Sequence, residues 1–417
     1  MMERKFMPLQ NTTFDIAHNH GSFPDAAAMV AALRPEQPVY CVRPHVLRET
    51  ARHFIDAFPG AVLYAVKCNA EPMFLDALHA GGIRHFDTAS LPEISVVGER
   101  CGDSSCYFMH PVKQRGAIRT AYGRHGVRHF VIDHPDELAK IRAETGNARD
   151  VVIVVRLATA RRAAVYDLGG KFGAAPQHAA DLLRSAYGAG YRVGLSFHVG
   201  SQCMTPGSYT AALRLAGHVV DLAGVPLSVV DVGGGFPVPY VGLNPPPLDA
   251  YITAITAGLM QLSLAPGYEV WCEPGRALVA AGASLVVRVE LRRDNFLYIN
   301  DGVYGSLSDL KYAGLRFPMR VLRPDGSRVE VLTEDLGDFS LFGPTCDPVD
   351  VMEGPYRLTA DVREGDYIEI GQAGAYTTEL RTDFNGFFSD RFVEVADDAF
   401  LPSADMEPCE ILSQAAE

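Results

Sequence analysis

The chain has 417 residues, with 37 Lys and Arg against 50 Asp and Glu, which gives a formal net charge of -13. This balance disfavours polyanionic partners such as nucleic acid and anionic membrane surfaces. The 48% hydrophobic and 21% charged residues are typical of a globular protein without a membrane span, and the length predicts two domains.

The amino terminus, MMERKFMPLQNTTF, lacks an apolar core of signal-peptide length. The eight cysteines form no CxxC pair and no Cys/His cluster with zinc spacing, so we expect free thiols and no metal site. Free thiols are typical of a reducing compartment. The sequence therefore predicts a cytoplasmic protein.

Between residues 38 and 280, short apolar runs alternate with helical segments such as PDELAKIRAETG and YTAALRLAGHVVDLAG. The eight candidate strands are AVLYAVKC, IRHFDTAS, CYFMHP, RHFVIDH, VVIVVRLAT, GLSFHVGS, SVVDVGGG and YEVWCEPG. This alternation favours parallel β/α units, and eight of them predict an α/β fold of the (β/α)8 TIM-barrel type over residues 38–280.

The pattern changes after residue 280, where short strands alternate with turn residues and helical periodicity is scarce. The candidate strands here are SLVVRVELRR, NFLYIND, FPMRVLR, RVEVLT, DYIEIGQAG and RFVEVADD. The first 37 residues show no helix of their own, and we expect them to supply a strand to the same unit. The sequence thus predicts an antiparallel β-sandwich or β-barrel domain from residues 1–37 and 281–417.

Polar residues follow the predicted barrel strands, at the end where such barrels carry their chemistry. These residues are Lys67, Asp87, Arg156, His198, Gly233, Gly234, Gly235, Glu273 and Arg276. Taken alone, Lys67 in LYAVKCNAEP reads as a strand-end lysine that extends to water. The convergence of reactive groups from independent strands favours a chemical role instead.

Three features of this rim together indicate pyridoxal 5'-phosphate. The glycines of DVGGGFP and the cation of EPGR suit a phosphate, because barrels often bind phosphate after their seventh and eighth strands. Glu273 suits a pyridine nitrogen, since a carboxylate keeps it protonated, and Lys67 suits an imine. His198 and Ser201 in SFHVGSQ fit the ring face and the phosphate, although His198 alone would read as a hydrogen-bonded core histidine.

The motifs around these residues resemble the fold type III pyridoxal-phosphate decarboxylases, the family of ornithine, diaminopimelate and arginine decarboxylases. In family order they are YAVKCN, FDTAS, RLAT, FHVGSQ, DVGGGFP, EPGR, DGVYGS, GPTCDPVD and GAYT with DFNGF. GPTCD and FNGF are most similar to the ornithine decarboxylase branch. The resemblance implies an alanine racemase-like barrel and a homodimer with shared active sites.

The resemblance also implies roles for individual residues. Lys67 would form the imine, Glu273 would face the pyridine nitrogen, and His198 would lie on the ring face. Cys346 would donate a proton near the α-carbon and Asp347 would bind the distal amine, both in the active site of the partner subunit. The other residues implied around the cofactor and substrate are Asp87, Arg156, Ser201, Gly235, Arg276, Tyr376 and Phe384.

The chain departs from the ornithine decarboxylase pattern at one position. After DGVYGS that branch carries a Tyr-Asp pair whose aspartate binds the distal amine, whereas this chain has Tyr312 and Ala313. Asp309, one helical turn earlier, is either a replacement carboxylate in the substrate pocket or a solvated residue. Asp309 and Tyr312 are therefore the candidate substrate-binding residues of this segment.

The leading functional hypothesis is decarboxylation of ornithine or lysine to a diamine. Because Ala313 replaces the expected acid, a different substrate is the alternative: carboxynorspermidine, diaminopimelate or a substituted diamino acid. Racemisation is disfavoured, since related racemases place an arginine, not an acid, at the ring nitrogen. A cofactor-free binding protein is disfavoured because Lys67, Glu273, His198 and Cys346 are all present.

Overall fold

A closed barrel of eight parallel strands forms the first half of the protein. The structure is a computed structural model that describes residues 21–159, 164–166, 170–264, 266–403 and 406. In chain order the barrel strands are Ala61–Ala65, His85–Thr88, Ser105–Phe108, His129–Ile132, Val152–Arg156, Arg192–Ser196, Val229–Asp231 and Glu269–Cys272. All eight predicted strands contribute, so the predicted (β/α)8 barrel is confirmed.

Helices surround this barrel. They are Pro44–Ala57, Pro72–Ala80, Leu91–Arg100, Arg115–Gly123, Pro135–Glu144, Pro176–Gly188, Gly207–Ala223, Leu248–Leu259 and Arg276–Val279. Several begin with proline in the first turn, where a helix has no intrahelical use for the missing N–H. None of the described helices is long and apolar enough to cross a membrane.

Alternate residues of the barrel strands point inward and fill the barrel with a separate apolar cluster. Its buried members are Leu63, Tyr107, Met109, Val131, Val152, Val154, Val229 and Trp271. The other strand residues pack against the helices in the main core. Because the interior is filled, the polar side chains at the strand ends are held at one rim.

A ten-stranded sheet forms the second unit, which confirms the predicted antiparallel β domain. Its strands are Ser22–Phe23, Val39–Val42, Ala283–Arg293, Phe296–Ile299, Met319–Asp325, Arg328–Leu332, Leu336–Phe342, Val351–Thr359, Tyr367–Ile370 and Phe392–Val395. Most pairs are antiparallel, and three described pairs are parallel. A small pair, Ala164–Tyr166 with Ser201–Cys203, lies outside both the barrel and this sheet.

The amino-terminal segment confirms one expectation and corrects another. Ser22–Phe23 pairs with Phe392–Val395, as expected of a strand supplied from the first 37 residues. The expectation that these residues form no helix was wrong, because Ala26–Leu33 is helical. The alanine-rich run favours a helix, and Asp25 caps it by accepting the N–H of Ala28 at 2.7 Å.

Two strands of the sheet, Leu336–Phe342 and Val351–Thr359, had no counterpart among the predicted strands. Their glycine, proline and charged residues obscure the period-two pattern that predicts a strand. Val39–Val42 pairs with Ala283–Arg293 in the large sheet. The predicted domain boundaries at residues 37 and 280 stay a prediction.

Short helical turns complete the described elements. The 3₁₀ turns are Val66–Cys68, Ala280–Gly282 and Phe384–Gly386, and Ser308–Tyr312 is a short α-helix. Two of these turns carry predicted site residues, Lys67 and Phe384. Short helical turns thus hold two of the predicted site residues at loop positions.

Candidate active site

Lys67 lies in the 3₁₀ turn Val66–Cys68, directly after the first barrel strand. The turn is fixed from the second unit, because buried Asn69 donates its amide N–H to the carbonyl of Gly374 at 2.9 Å. Lys67 Nζ donates to Asp87 Oδ2 at 2.6 Å. The Lys67 side chain is 43% exposed and Asp87 is 3% exposed, so the ammonium lies between a buried carboxylate and the open rim.

The charge on Lys67 is set by opposing effects. Desolvation lowers its pKa, but the carboxylates of Asp87 and Glu273 outweigh desolvation and raise the pKa above the ordinary lysine value. Without a bound carbonyl group, Lys67 is therefore a protonated amine. Its tie to Asp87 fixes the nitrogen at the rim.

Glu273 follows the eighth barrel strand and is buried beside Asp231 at the end of the seventh. Desolvation raises the pKa of Glu273 well above its usual range, and the neighbouring Asp231 and Asp87 raise it further. Burial also raises the pKa of Asp231, to about 6. A nearby positive charge would stabilise ionised Glu273, as a protonated pyridine nitrogen requires.

His198 lies at the rim after the sixth barrel strand. Its Nδ1 accepts the N–H of Gly200 at 3.0 Å, which leaves the proton of the neutral ring on Nε2. Burial lowers the pKa of His198 well below its usual value, and the positive charges of Arg156 and Lys67 lower it further. His198 therefore offers a neutral aromatic face.

The glycine turn 233–235 is shaped by close backbone packing. Gly233 and Gly235 adopt φ values of 69° and 104°, which side-chain-bearing residues rarely adopt. A Cβ at Gly234 would lie 2.4 Å from the carbonyl oxygen of Glu273 and 3.1 Å from His198 Nε2. Only glycine fits at this point between His198 and Glu273.

Arg276 is buried at the start of the short helix Arg276–Val279, three residues after Glu273. Its guanidinium pairs with Asp309 Oδ2 at 2.9 Å and donates to the hydroxyl of Tyr240 at 2.9 Å. It also lies 5.0 Å from the ring centroid of Tyr376. The buried Nε of Arg276 has no hydrogen-bond acceptor among the described residues, so a donor remains for an anion.

The contact with Arg276 changes the interpretation of Asp309. The sequence left open a substrate carboxylate or a solvated residue, but Asp309 is buried in an ion pair and is not solvated. Its carboxylate pairs with the guanidinium of Arg276. Tyr312, the other candidate of this segment, is 62% exposed.

Tyr376 and Ser201 approach the same rim from two different segments. Tyr376 adopts a left-handed φ of 63° and donates its backbone N–H to the carbonyl of Cys68 at 2.8 Å. This bond connects the segment after Tyr367–Ile370 with the turn that holds Lys67. Ser201 begins the short strand Ser201–Cys203, which follows His198 by three residues.

A second group of predicted residues lies on loops of the large sheet. Cys346 is exposed, and its backbone N–H donates to Asn385 Oδ1 at 3.1 Å. Asp347 accepts the hydroxyl of Tyr304 at 2.7 Å, and the Tyr304 ring lies 4.9 Å from that of Phe384. Among the described residues, no hydrogen bond or ion pair joins this loop cluster to Lys67.

Asp347 is ionised at neutral pH. The N–H of Val349 and the hydroxyl of Tyr304 stabilise the carboxylate and hold the pKa of Asp347 below its usual range. Asp350 fixes the same loop, since it accepts the N–H of Val303 at 2.7 Å and the hydroxyl of Thr345 at 2.7 Å. The loop therefore presents a charged acid.

Two acids near Lys67 were not among the predicted site residues. Glu93 accepts the N–H of Ala89 at 2.7 Å, and burial, with help from Asp87, raises its pKa to about 7. Glu379 accepts the N–H of Ala70 at 2.8 Å. The spacing of Ser90 and Glu93 in SLPE is a capping-box signal that could have placed Glu93 at a helix start.

The residues at the barrel rim fit pyridoxal phosphate. Lys67 supplies an amine, buried Glu273 has a raised pKa that a cationic ring would lower, and His198 offers a neutral ring face. The glycine turn and the unpaired Nε of Arg276 suit a phosphate. This donor set agrees with the cofactor inferred from the sequence.

Known proteins share both the sequence and the fold. Residues 45–280 match the family model described as the pyridoxal-dependent decarboxylase, pyridoxal binding domain. The lysine/ornithine decarboxylase of Selenomonas ruminantium is 34% identical over 339 residues, which cover 79% of this chain and 82% of that protein. The ornithine decarboxylase of Panagrellus redivivus is 33% identical over 369 residues, which cover 82% of both chains.

A solved structure shows the same architecture. The crystal structure of lysine/ornithine decarboxylase complexed with putrescine from Vibrio vulnificus matches with a TM-score of 0.75 and 31% sequence identity. The match covers 88% of this chain and 96% of that one. The resemblance stated from the motifs is thereby confirmed over both units of the fold.

Proposed function

This chain belongs to the pyridoxal-dependent decarboxylase family, and we propose that its substrate is ornithine, lysine or both. The protein is a decarboxylase whose cofactor is pyridoxal phosphate. The observation that carries the proposed site is the convergence of Lys67, Glu273 and the glycine turn at one barrel rim. The substrate assignment is supported by the lysine/ornithine and ornithine decarboxylases to which the chain is similar.

When bound, pyridoxal phosphate supplies an electron sink for the electron pair left behind as carbon dioxide departs. Lys67 would hold the cofactor covalently through its amine. Glu273 would accept the pyridine N–H, and neutral His198 would pack on the ring face. The turn 233–235 and Arg276, with Ser201 and Tyr376, would bind the phosphate.

The remaining roles fall to the loop cluster. Asp347 binds the distal ammonium of the substrate, which its ionised state supports. Cys346 donates a proton to the α-carbon, and Phe384 lines the pocket. Because these residues form contacts with one another and not with Lys67, we propose a homodimer in which each subunit supplies this loop to its partner's barrel.

The cellular setting and the division of the chain are further proposals. All seven cysteines of the described residues are free, which supports a reducing, cytoplasmic location. The strand pairing supports a barrel over residues 38–280 and a β domain from residues 1–37 and 281–417. In this division Val39–Val42 is the exception, because it pairs with the large sheet.

A carbon dioxide release screen tests the substrate. Ornithine, lysine, arginine, diaminopimelate and carboxynorspermidine are supplied separately to the loaded enzyme, with Lys67→Ala as the matched control. We expect ornithine or lysine to give the highest kcat/KM. Turnover of another compound with neither of these two consumed would overturn the assignment, and a D-amino acid formed without carbon dioxide would indicate a racemase.

A second candidate rests on Ala313 and Asp309. The family position that reads the distal amine is occupied by Ala313, and Asp309 is paired with Arg276. Asp347 is then the acid left for that amine. A diamino or carboxy-polyamine substrate with a different tail is therefore the alternative, and the same screen includes it.

A further inference from the structure

Asp231 is a buried acid of the active-site rim for which the proposed function has no role. It ends the seventh barrel strand and is fully buried. Two backbone hydrogen bonds between the segments that end the seventh and eighth strands hold it next to Glu273. The N–H of Val232 donates to the carbonyl of Trp271 at 2.9 Å, and the backbone N–H of Glu273 donates to the carbonyl of Gly233 at 2.9 Å. Two carboxyl groups are thus fixed side by side by the backbone.

Hydrogen bonds from N–H donors of the described residues satisfy only one of the two carboxylate oxygens of Asp231. Oδ1 accepts the N–H of Gly233 at 2.8 Å and so stabilises the glycine turn. Oδ2 is buried, and no N–H or hydroxyl donor of the described residues reaches it. The group within hydrogen-bonding reach of Asp231 is the carboxyl of Glu273. A buried acceptor without another donor is satisfied when the two carboxyls share a proton.

The charges around the pair favour one shared proton over two ionised carboxylates. Asp87 adds negative charge, whereas Lys67 and Arg156 add positive charge that offsets part of it. The thiol of Cys272, which ends the eighth strand directly before Glu273, is neutral because burial raises its pKa well above the usual value. Asp231 raises the pKa of Glu273, whereas the hydrogen bond from the Glu273 carboxyl lowers the pKa of Asp231, so Glu273 holds the shared proton more tightly.

We propose that Asp231 is a positioning residue for Glu273, which orients the Glu273 carboxyl by a shared proton and makes it the proton source for the cofactor's ring nitrogen. On cofactor binding the shared proton moves to the nitrogen. The pair then carries two negative charges, the ring carries one positive charge, and the total charge is unchanged. The negative charge of Asp231 behind Glu273 keeps the nitrogen protonated.

The simpler role for Asp231 is to cap the turn through Gly233. Asp231→Asn separates the two roles, because the amide oxygen still accepts the N–H of Gly233 while the charge is lost. A purely structural role therefore predicts little change in this variant. The positioning role predicts a loss confined to ligands that carry a basic ring nitrogen.

The test compares two cofactors on the apoenzyme, namely pyridoxal phosphate and 1-deazapyridoxal phosphate, in which carbon replaces the ring nitrogen. Both keep the aldehyde, the hydroxyl and the phosphate. Equilibrium dissociation constants are measured for wild type, Asp231→Asn and Glu273→Gln. For Asp231→Asn we expect pyridoxal phosphate to bind about tenfold more weakly, the factor that one pKa unit represents, and the deaza compound to bind within about twofold of wild type.

A double-mutant cycle tests whether the two acids act as one unit. In Asp231→Asn/Glu273→Gln the loss of affinity for pyridoxal phosphate is expected to be less than the product of the two single losses. Glu269→Gln is the matched control. Glu269 begins the eighth barrel strand, at the end remote from Glu273, and forms an exposed ion pair with Arg192. We expect it to bind both compounds as wild type does.

Two results would overturn the proposal. Unchanged binding of both compounds by Asp231→Asn would show that Asp231 does not act through Glu273. Equal weakening of both compounds would assign Asp231 to the glycine turn alone. Neither result depends on which amino acid the enzyme decarboxylates.

Discussion

The barrel rim and the loop cluster hold their functional groups in different ways. At the rim, Asp87 and Glu273 are buried and interact electrostatically with Lys67 inside one chain. On the loops of the large sheet, Cys346 is exposed and Asp347 is bonded to the nearby Tyr304. The rim groups contact one another within a single chain, whereas under the proposed homodimer the loop groups act only at the partner's barrel.

The strongest way to break the rim is to remove its amine. Lys67→Ala removes the proposed covalent anchor of the cofactor, and we expect carbon dioxide release to fall on the order of 10³-fold or more. Borohydride reduction and peptide mapping of the wild type should label Lys67. Lys140→Arg is the control, because it can keep the ion pair with Glu137 on an outer helix. Activity of Lys67→Ala within tenfold of wild type would remove Lys67 from the mechanism.

The corresponding change in the loop cluster removes the charge of one side chain and keeps its size. Asp347→Asn leaves an oxygen for the hydroxyl of Tyr304 but removes the charge that we propose attracts the distal ammonium of the substrate. We expect KM for ornithine or lysine to rise on the order of 10²-fold, with a smaller change in kcat. Steady-state kinetics measure the split. Asp338→Asn, an exposed acid of the same sheet, is the control, and an unchanged KM in Asp347→Asn would exclude the assigned contact.

The smallest expected effect concerns stability at the rim. The pKa of Glu93 is about 7 in the folded protein against an ordinary 4.5, so the folded state binds more protons than the unfolded state between these values. The stability contribution of Glu93 is therefore full below pH 4.5 and declines as pH rises toward 7. Glu93→Gln keeps an acceptor for Ala89 and should flatten this part of the profile.

Denaturant unfolding of the apoenzyme at several pH values measures this effect. Glu353→Gln, an exposed change on the large sheet, should leave the pH dependence as in wild type. If Glu93→Gln and wild type lose stability in parallel over this range, Glu93 does not titrate as described. The difference between Glu93→Gln and Glu353→Gln therefore measures the pH dependence of stability that is due to the rim.

Local pattern was sufficient for the barrel and insufficient for parts of the β unit. The strand before Lys67 is an unbroken apolar run, and such runs predict buried parallel strands. Leu336–Phe342 and Val351–Thr359 mix charged residues with glycine or proline, so their strand character depends on pairing with each other. The helix Ala26–Leu33 was missed although its alanines favour a helix.

The site shows the same division between local and long-range information. Strand-end positions placed Lys67 and Glu273 at one rim from sequence alone. The ion pair of Asp309 with Arg276 joins residues far apart in the chain, and spacing within one helical turn cannot reveal it. Asp231 was visible in DVGGG, but its contact with Glu273 follows from the pairing of two barrel strands.

The most direct test of the contrast between rim and loops is complementation between two inactive variants. Lys67→Ala lacks a working rim and Asp347→Ala lacks a working loop, so each homodimer should form little diamine. After equal amounts are mixed and allowed to exchange subunits, one intact site forms in each mixed dimer, which predicts about a quarter of wild-type diamine formation. No recovery, with mixed dimers detected by native mass spectrometry, would contradict the shared active site.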